Sequence, residues 1–220
     1  MKRIVTLASV GLALSLSSAW ATPTGDAAGT AAAAPSALTV GSSAAVVATA
    51  SGSMSSGTFT ANYIENVYTD PTNEFCAGCL TWVIQVADTG GDAIEAVKAS
   101  NFGGFLTDIG VSTNGAPGMS NGTVNPFTVD RSSSGNVITW DFTGQNGANE
   151  IYPGMTSVLL EIETNAKTYV PGFVNADDDL PAGAAGYGAG AAPEPMSMGL
   201  LGGGLALLGV ARWRRSSKKS

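Results

Sequence analysis

Hydrophobic and polar residues alternate along several short stretches in the middle of the chain. In "LTWVIQVAD" at 80–88, Leu, Trp, Ile and Val occupy every second position, which is typical of a strand with one buried face. The stretches "VITWDF" at 137–142 and "SVLLEIET" at 157–164 repeat the pattern. Glu161 and Glu163 share one face of the last stretch, where like charges repel, so we expect that face to contact water.

The segments between these stretches are rich in residues that turn the chain, as in "DTGGD", "STNGAPGMSNG" and "RSSSGN". No long helical period is present, apart from one possible turn in "GGDAIEAVKAS". Short strands at this spacing predict an all-β fold, an antiparallel β-sandwich of roughly seven strands. We place this sandwich at 57–176 and expect Trp82 and Trp140, which lie on apolar faces, in its core.

Composition changes on both sides of the predicted sandwich. Residues 22–56 are dominated by Ala, Ser, Thr and Gly, which predicts a spacer or an edge strand. Residues 177–192 are rich in Gly and Ala, and we predict that they form a flexible linker. The run Asp177–Asp179 at the start of this linker offers oxygen ligands for calcium, but it lacks the spaced acids and central glycine of a calcium loop. A solvated acidic run is the alternative, and we predict no resident metal.

Residues 1–21 have the layout of a secretory signal peptide. Two cations at the start precede a short apolar run, and Ala19 and Ala21 form a small-x-small cleavage site. The alternative is an N-terminal anchor, but serines interrupt the apolar run before it reaches the ~20 residues of a spanning helix.

Most of the basic residues lie near the two ends of the chain, and most of the acidic residues lie between them. The formal net charge is -7, yet between residues 22 and 192 there are only 3 Lys or Arg residues against 16 Asp or Glu residues. Such a body repels nucleic acid and anionic membranes, so we exclude a phosphate-binding role.

The chain contains no histidine, which excludes Ser-His-Asp and Cys-His catalysis. No G-x-S-x-G motif and no phosphate-binding glycine loop occur. We therefore predict no catalytic residues, no cofactor and a protein that is not an enzyme. Arg131, one of three cations in the body, is expected to pair with a neighbouring carboxylate in a structural role.

The 2 cysteines, Cys76 and Cys79, form a CxxC motif in front of a predicted strand. A redox CxxC is expected at a helix start, and zinc needs more ligands than this chain offers. A structural disulfide is the prediction, with redox catalysis and free or intermolecular thiols as the alternatives.

A carbohydrate-binding module is an alternative function for the body. It requires exposed aromatic rings on one sheet face or loop. The candidates are Tyr63, Tyr68, Phe127, Tyr152 and Tyr169.

Residues 193–220 combine three features in order. Pro193, Glu194 and Pro195 precede an uncharged run at 196–210, and a basic cluster closes the chain. The cluster consists of Arg212, Arg214, Arg215, Lys218 and Lys219. The uncharged run predicts a single transmembrane helix, and the cluster would hold that end in the cytoplasm. Two prolines favour an extended backbone, as a protease cleft requires.

This tail resembles a PEP-CTERM sorting signal. The body also resembles a family of PEP-CTERM-bearing proteins in the stretches "GTFTANY", "GGFLTDIGV", "DRSSSGNVITWDF" and "IYPGMTSVLLEIETNAKTYVPG". The resemblance implies export in a Gram-negative bacterium, with signal peptidase and exosortase as partners and the inner membrane as a transient anchor. It further implies a structural or adhesive role at the cell surface or in the exopolysaccharide matrix of a biofilm, with extracellular polysaccharide as a candidate partner. A periplasmic thiol-disulfide protein is a weaker alternative.

Overall fold

The computed structural model describes residues 25–30, 33–112, 114–144 and 149–191. Within these residues the protein is all-β, with eleven strands and no helix, so none of them forms a helix that could cross a membrane. The strands are β1 (Ser36–Leu38), β2 (Ala45–Ser55), β3 (Phe59–Asp70), β4 (Cys79–Gly91), β5 (Ala96–Ser100), β6 (Thr107–Ser112), β7 (Thr128–Arg131), β8 (Val137–Asp141), β9 (Leu160–Thr164), β10 (Thr168–Asp177) and β11 (Ala182–Gly190).

The strands form two sheets, a six-stranded sheet in the order β1-β6-β9-β4-β3-β2 and a five-stranded sheet in the order β11-β10-β5-β8-β7. All named pairs are antiparallel except β1 with β6. Two mostly antiparallel sheets confirm the predicted β-sandwich, but the described residues contain eleven strands and not roughly seven.

Three of the strands lie where the sequence shows no apolar alternation. β1 and β2 lie within 22–56, and β11 occupies Ala182–Gly190 inside the predicted flexible linker, which this strand replaces. β11 pairs with β10 along its whole length, from Ala176 opposite Ala182 to Thr168 opposite Gly190. Backbone hydrogen bonds supply this pairing, and they do not require large side chains, so a Gly/Ala sequence can form the strand once β10 is in place.

The main core lies between the sheets. Trp82 and Trp140 are fully buried there, as the sequence predicts. The ring of Trp82 packs edge-to-face against Phe102 at a centroid distance of 5.3 Å, and Trp140 Nε1 donates a hydrogen bond to Gly110 O at 3.0 Å. These contacts join the two sheets in the middle of the sandwich.

The chain before β2 closes one side of the sandwich. Ala33 forms a two-way backbone bridge with Val129 of β7, and β1 then pairs with β6 of the other sheet. Gly110 on β6 permits this parallel pairing, since a Cβ at this position would meet Ser36 O. One short segment therefore covers an edge of both sheets.

Candidate functional site

The outer face of the six-stranded sheet is covered by two loops. Residues 39–44 and 114–119 lie over β3, β4 and β9, where they contribute to a second, smaller core. This core consists of Val40, Ala44, Tyr68, Val83, Ala116 and Leu159, with Met119 packed against it. Tyr68 Oη donates to Pro117 O at 2.8 Å, which fastens one loop to β3. The face that the sequence predicts as wet is therefore largely shielded from water.

An acidic row lies under and beside these loops. Asp70 on β3, Asp108 on β6, and Glu161 and Glu163 on β9 all point away from the main core, and Asp108 lies directly opposite Glu163. Glu161 and Glu163 share a face, but Glu161 is fully buried and Glu163 is 5% exposed, so the expectation that they contact water is wrong. The covering loops exclude water from the face that the alternation pattern predicts to be solvated.

Two carboxylates of the acidic row accept hydrogen bonds from loop amides. Asp70 Oδ2 accepts from Gly41 N at 3.1 Å, and Glu163 Oε2 accepts from Glu74 N at 2.7 Å. Both bonds hold a loop against the sheet. Glu161 differs, because neither of its carboxylate oxygens has a hydrogen-bond partner that meets normal geometry. The hydroxyl of Ser112, its neighbour, donates to Gly115 O at 2.9 Å.

Burial raises the affinity of three carboxyl groups of the acidic row for protons. Burial raises the pKa of Glu161 to about 8, and the neighbouring Glu163 adds to the rise. Burial also raises the pKa of Asp108 to about 7, and a hydrogen bond with the carboxyl group of Glu74 adds to the rise. The pKa of Glu163 is raised by burial, against the bond from Glu74 N. Glu161 therefore retains its proton at neutral pH, which limits its repulsion with Glu163.

A cleft of about 790 Å³ opens beside the acidic row. It lies between the two covering loops, and its walls combine small apolar and hydroxyl side chains with Asn114. Thr72 on its rim donates to Asp70 Oδ1 at 2.8 Å through its hydroxyl group. Asp70 therefore connects the acidic row to the cleft. The alternation pattern gives no signal for it, because loops from distant parts of the sequence build its walls.

A metal site does not appear among the described residues, where no three Cys, Asp or Glu side chains are arranged to hold an ion. Of the predicted calcium candidates, Asp177 forms an ion pair with Lys98. Asp178 is buried, and Asp179 lies at an exposed turn with a φ of 50°. The three acids thus have three different environments and do not converge on one point.

The cysteines lie in and at the end of the loop between β3 and β4. Cys76 and Cys79 are joined at disulfide distance, with their Cα atoms 5.3 Å apart, and Cys79 begins β4. The sequence thus predicts this pair correctly. No helix lies next to the motif among the described residues.

Arg131 does not pair with a carboxylate in the way that the sequence predicts. Its guanidinium group is buried and donates to four main-chain carbonyl groups, those of Asp26 (2.6 Å), Phe102 (3.0 Å), Phe105 (2.8 Å) and Gly135 (3.1 Å). Burial lowers the pKa of Arg131, whereas the charge of Asp26 raises it. The residue joins three loops at one end of the sandwich, so its role is structural.

The five aromatic candidates for carbohydrate binding divide into two groups. Tyr63 and Tyr68 are buried and cannot contact a ligand without unfolding. Phe127, Tyr152 and Tyr169 are each more than 40% exposed, the first two in loops and the third on β10.

The outer face of the five-stranded sheet adds an aromatic residue that the sequence analysis missed. Phe173 is 60% exposed and lies on the same face of β10 as Pro171 and Tyr169. The ring of Tyr187 on β11 meets that of Tyr169 edge-to-face at 5.1 Å. The exposed alternation "YVPGF" is the signal that could have identified this row.

The remaining predicted site residues lie outside the described residues. They are Ala19 and Ala21 of the signal cleavage site, Pro193, Glu194 and Pro195 of the sorting motif, and the C-terminal cluster Arg212, Arg214, Arg215, Lys218 and Lys219. Comparison with protein-family models, with curated proteins and with solved structures finds no match for this chain.

Proposed function

We propose that this protein is a non-enzymatic exported protein, sorted by exosortase to the cell surface or the exopolysaccharide matrix, where it has a structural or adhesive role. The observation that carries the proposal is the order of segments along the chain. A signal-peptide pattern precedes the body, and the Pro193-Glu194-Pro195 motif, an apolar run and a basic cluster follow it. The acidic charge of the body fits a location away from anionic membrane and nucleic acid.

The extent of the fold supports release of an intact domain. β11 ends at Gly190, three residues before Pro193, so a cut near Pro195 would remove none of the described strands. The disulfide-distance cysteine pair fits an oxidising compartment. The released product would keep all eleven strands of the described residues.

Intact mass tests this proposal. We expect the protein recovered from the medium of its native host to start at Thr22 and to end near Pro195. A strain lacking the exosortase, or a Glu194→Gln variant, should retain the C-terminal tail in the membrane. Glu150→Gln, the same change in the body, serves as the control and should be processed normally. An uncut chain in the wild-type strain would refute the sorting proposal.

Carbohydrate binding is the second candidate, and the exposed row of Tyr169 and Phe173 favours it. Four residues of extended strand place these side chains about 13 Å apart on one face, and aromatic rings stack on sugar faces through apolar and C–H contacts. Affinity electrophoresis in the host's own exopolysaccharide tests this candidate. We expect retardation that Tyr169→Ala and Phe173→Ala each reduce, whereas Phe127→Ala does not. Equal migration with and without polysaccharide would rule it out.

A further inference from the structure

Each sheet of the sandwich has two edge strands. Within the described residues, these four edges differ in how far other parts of the chain cover them. β7 is covered by the N-terminal segment, with Ala33 N donating to Val129 O at 3.0 Å and Val129 N donating back at 2.9 Å. β1, the edge that this segment contributes to the other sheet, has only 3 residues. Short or covered edges prevent pairing with another chain.

The edge of β11 is closed by side chains from the opposite sheet. Tyr63 Oη donates to Ala185 O at 2.6 Å, and Glu65 Oε2 accepts from Tyr187 N at 2.8 Å. These two bonds use backbone groups that point away from β10. Ala189 N donates to Asn101 O at 2.9 Å further along. A strand whose outward backbone groups are hydrogen-bonded in this way has few groups left to pair with an added strand.

β2 is the exception. It has 11 residues and pairs with β3 on one side. β11 of the opposite sheet passes close to β2. The described residues nevertheless provide no backbone–backbone hydrogen bond on this other side, and the one side-chain bond is that from Tyr169 Oη to Val47 O at 3.4 Å. The sequence "AVVATASGSMS" contains no charged residue and no proline, and the one protecting feature of this edge is a register irregularity between Val46 and Ala48.

Exposed apolar side chains surround this edge. Val46 and Val47 at the start of β2 are 46% and 42% exposed. Tyr169 lies beside them, and Leu180 lies near Gly57, just beyond the other end of the strand. An open edge with apolar side chains at both ends is typical of an interaction surface.

We propose that β2 is the interface through which two copies of this chain form a dimer, in which the two six-stranded sheets join edge to edge through antiparallel β2 strands. In such a pair, the side chains of one strand face those of the same strand in the second copy. Charged residues would therefore face like charges, which destabilises a sheet. β2 has none, although the body carries 16 acids against 3 cations.

The charge of the strand also argues against a basic partner. A basic protein would be attracted to the acidic parts of the surface and would gain nothing from an uncharged edge. Because β2 is the one long open edge among the described residues, the contact is isologous and stops at two copies. The proposal concerns the folded body and does not depend on the route of export.

Oligomeric mass tests the dimer. The full chain, purified in a nonionic detergent, should sediment as a dimer whose fraction falls on dilution. We expect the double variant Ser51→Lys, Ser53→Lys to be monomeric, because it places cations along the edge. The matched control, Ser133→Lys with Ser134→Lys in the exposed turn between β7 and β8, should remain dimeric. A monomeric wild type, a dimer that persists in the β2 variant, or mass that keeps growing into filaments would each overturn the proposal.

Hydrogen exchange locates the contact even if the β2 variant fails to fold. In the wild-type chain, amides of 45–55 should exchange more slowly at high than at low protein concentration, whereas amides of β7 should not change. Concentration-dependent protection that omits 45–55 would overturn the assignment of the interface to β2.

Discussion

Glu65 Oε2 accepts a hydrogen bond from the backbone N–H of Tyr187 at 2.8 Å, and this bond joins β3 of one sheet to the edge strand of the other. Glu65 is fully buried, and its second oxygen, Oε1, has no partner. Gly186 gives the carboxyl group the space it needs, since a Cβ at this position would lie 2.7 Å from Glu65 Oε2. A side chain thus takes the place of a neighbouring strand.

Replacing Glu65 should change how stability depends on pH. Burial raises the pKa of Glu65 from 4.5 to about 8, against the effect of the bond from Tyr187 N. Between these pH values the unfolded chain has released a proton that the folded chain retains, so the free energy of unfolding falls as pH rises. The contribution of one group is at most about 1.4 kcal/mol per pH unit. We expect Glu65→Gln to resemble wild type near pH 4 and to exceed its stability near pH 8.

Urea unfolding at a series of pH values measures this effect. Glu150→Gln, a change of the same kind on a partly exposed side chain, is the control and should keep the wild-type slope. If Glu65→Gln also keeps the wild-type slope, the buried carboxyl group does not retain its proton.

Replacing Glu74 should lower the pKa of Asp108. The pKa of Asp108 is raised to about 7 by burial and by its hydrogen bond with the Glu74 carboxyl group. Glutamine at position 74 would instead donate a hydrogen bond to the charged form of Asp108 and stabilise it. Carboxyl NMR titration should show a midpoint for Asp108 near 7 in wild type and a clearly lower one in Glu74→Gln. An unchanged midpoint would mean that burial alone sets this pKa.

Arg131→Lys should destabilise the protein by about 2–4 kcal/mol. The buried guanidinium group of Arg131 donates hydrogen bonds to four main-chain carbonyl groups. The ammonium group of lysine has only three donors and lacks the planar geometry of guanidinium. Thermal or urea unfolding checks this value. Lys167→Ala removes an exposed cation and should change stability by no more than about 0.5 kcal/mol. Equal effects of the two changes would show that the four carbonyl contacts of Arg131 contribute little to stability.

Removing the cysteine pair should cost up to about 2 kcal/mol, the entropy expected for so short a loop. The double variant Cys76→Ala, Cys79→Ala should unfold at lower urea concentration than oxidised wild type. A reducing agent should lower the stability of wild type to a similar extent and leave the variant unaffected. Sensitivity of the variant to the reducing agent would place the effect elsewhere in the protein.

Large apolar residues at alternate positions made much of the sandwich predictable. The stretches that contain Trp82 and Trp140 are strands with a buried face. Their large apolar side chains lie on that face, and packing it in the core removes their apolar area from water. The CxxC pair was also predictable, since the chain has 2 cysteines and neither has another partner within it.

The acidic row has no comparable signal in the sequence. Glu161 and Glu163 alternate with apolar residues as solvent-facing acids do, and only the loops that pack over the sheet exclude water from them. Tyr63 and Tyr68 likewise look like surface aromatics until a neighbouring strand or loop accepts their hydroxyl groups. Burial of a polar side chain depends on what packs over it, and local sequence does not contain that information.

By itself, the sequence determined the fold class, the core tryptophans and the order of segments from signal-peptide pattern to basic tail. Only the tertiary structure decided that β2 and β11, built from Ala, Gly and Ser, are strands, that Glu65 closes one edge, and that β2 leaves another edge open. The physical reason is the same in each case. Burial of apolar side chains follows a pattern of residue types along the sequence. Backbone pairing and edge closure depend instead on contacts between distant segments.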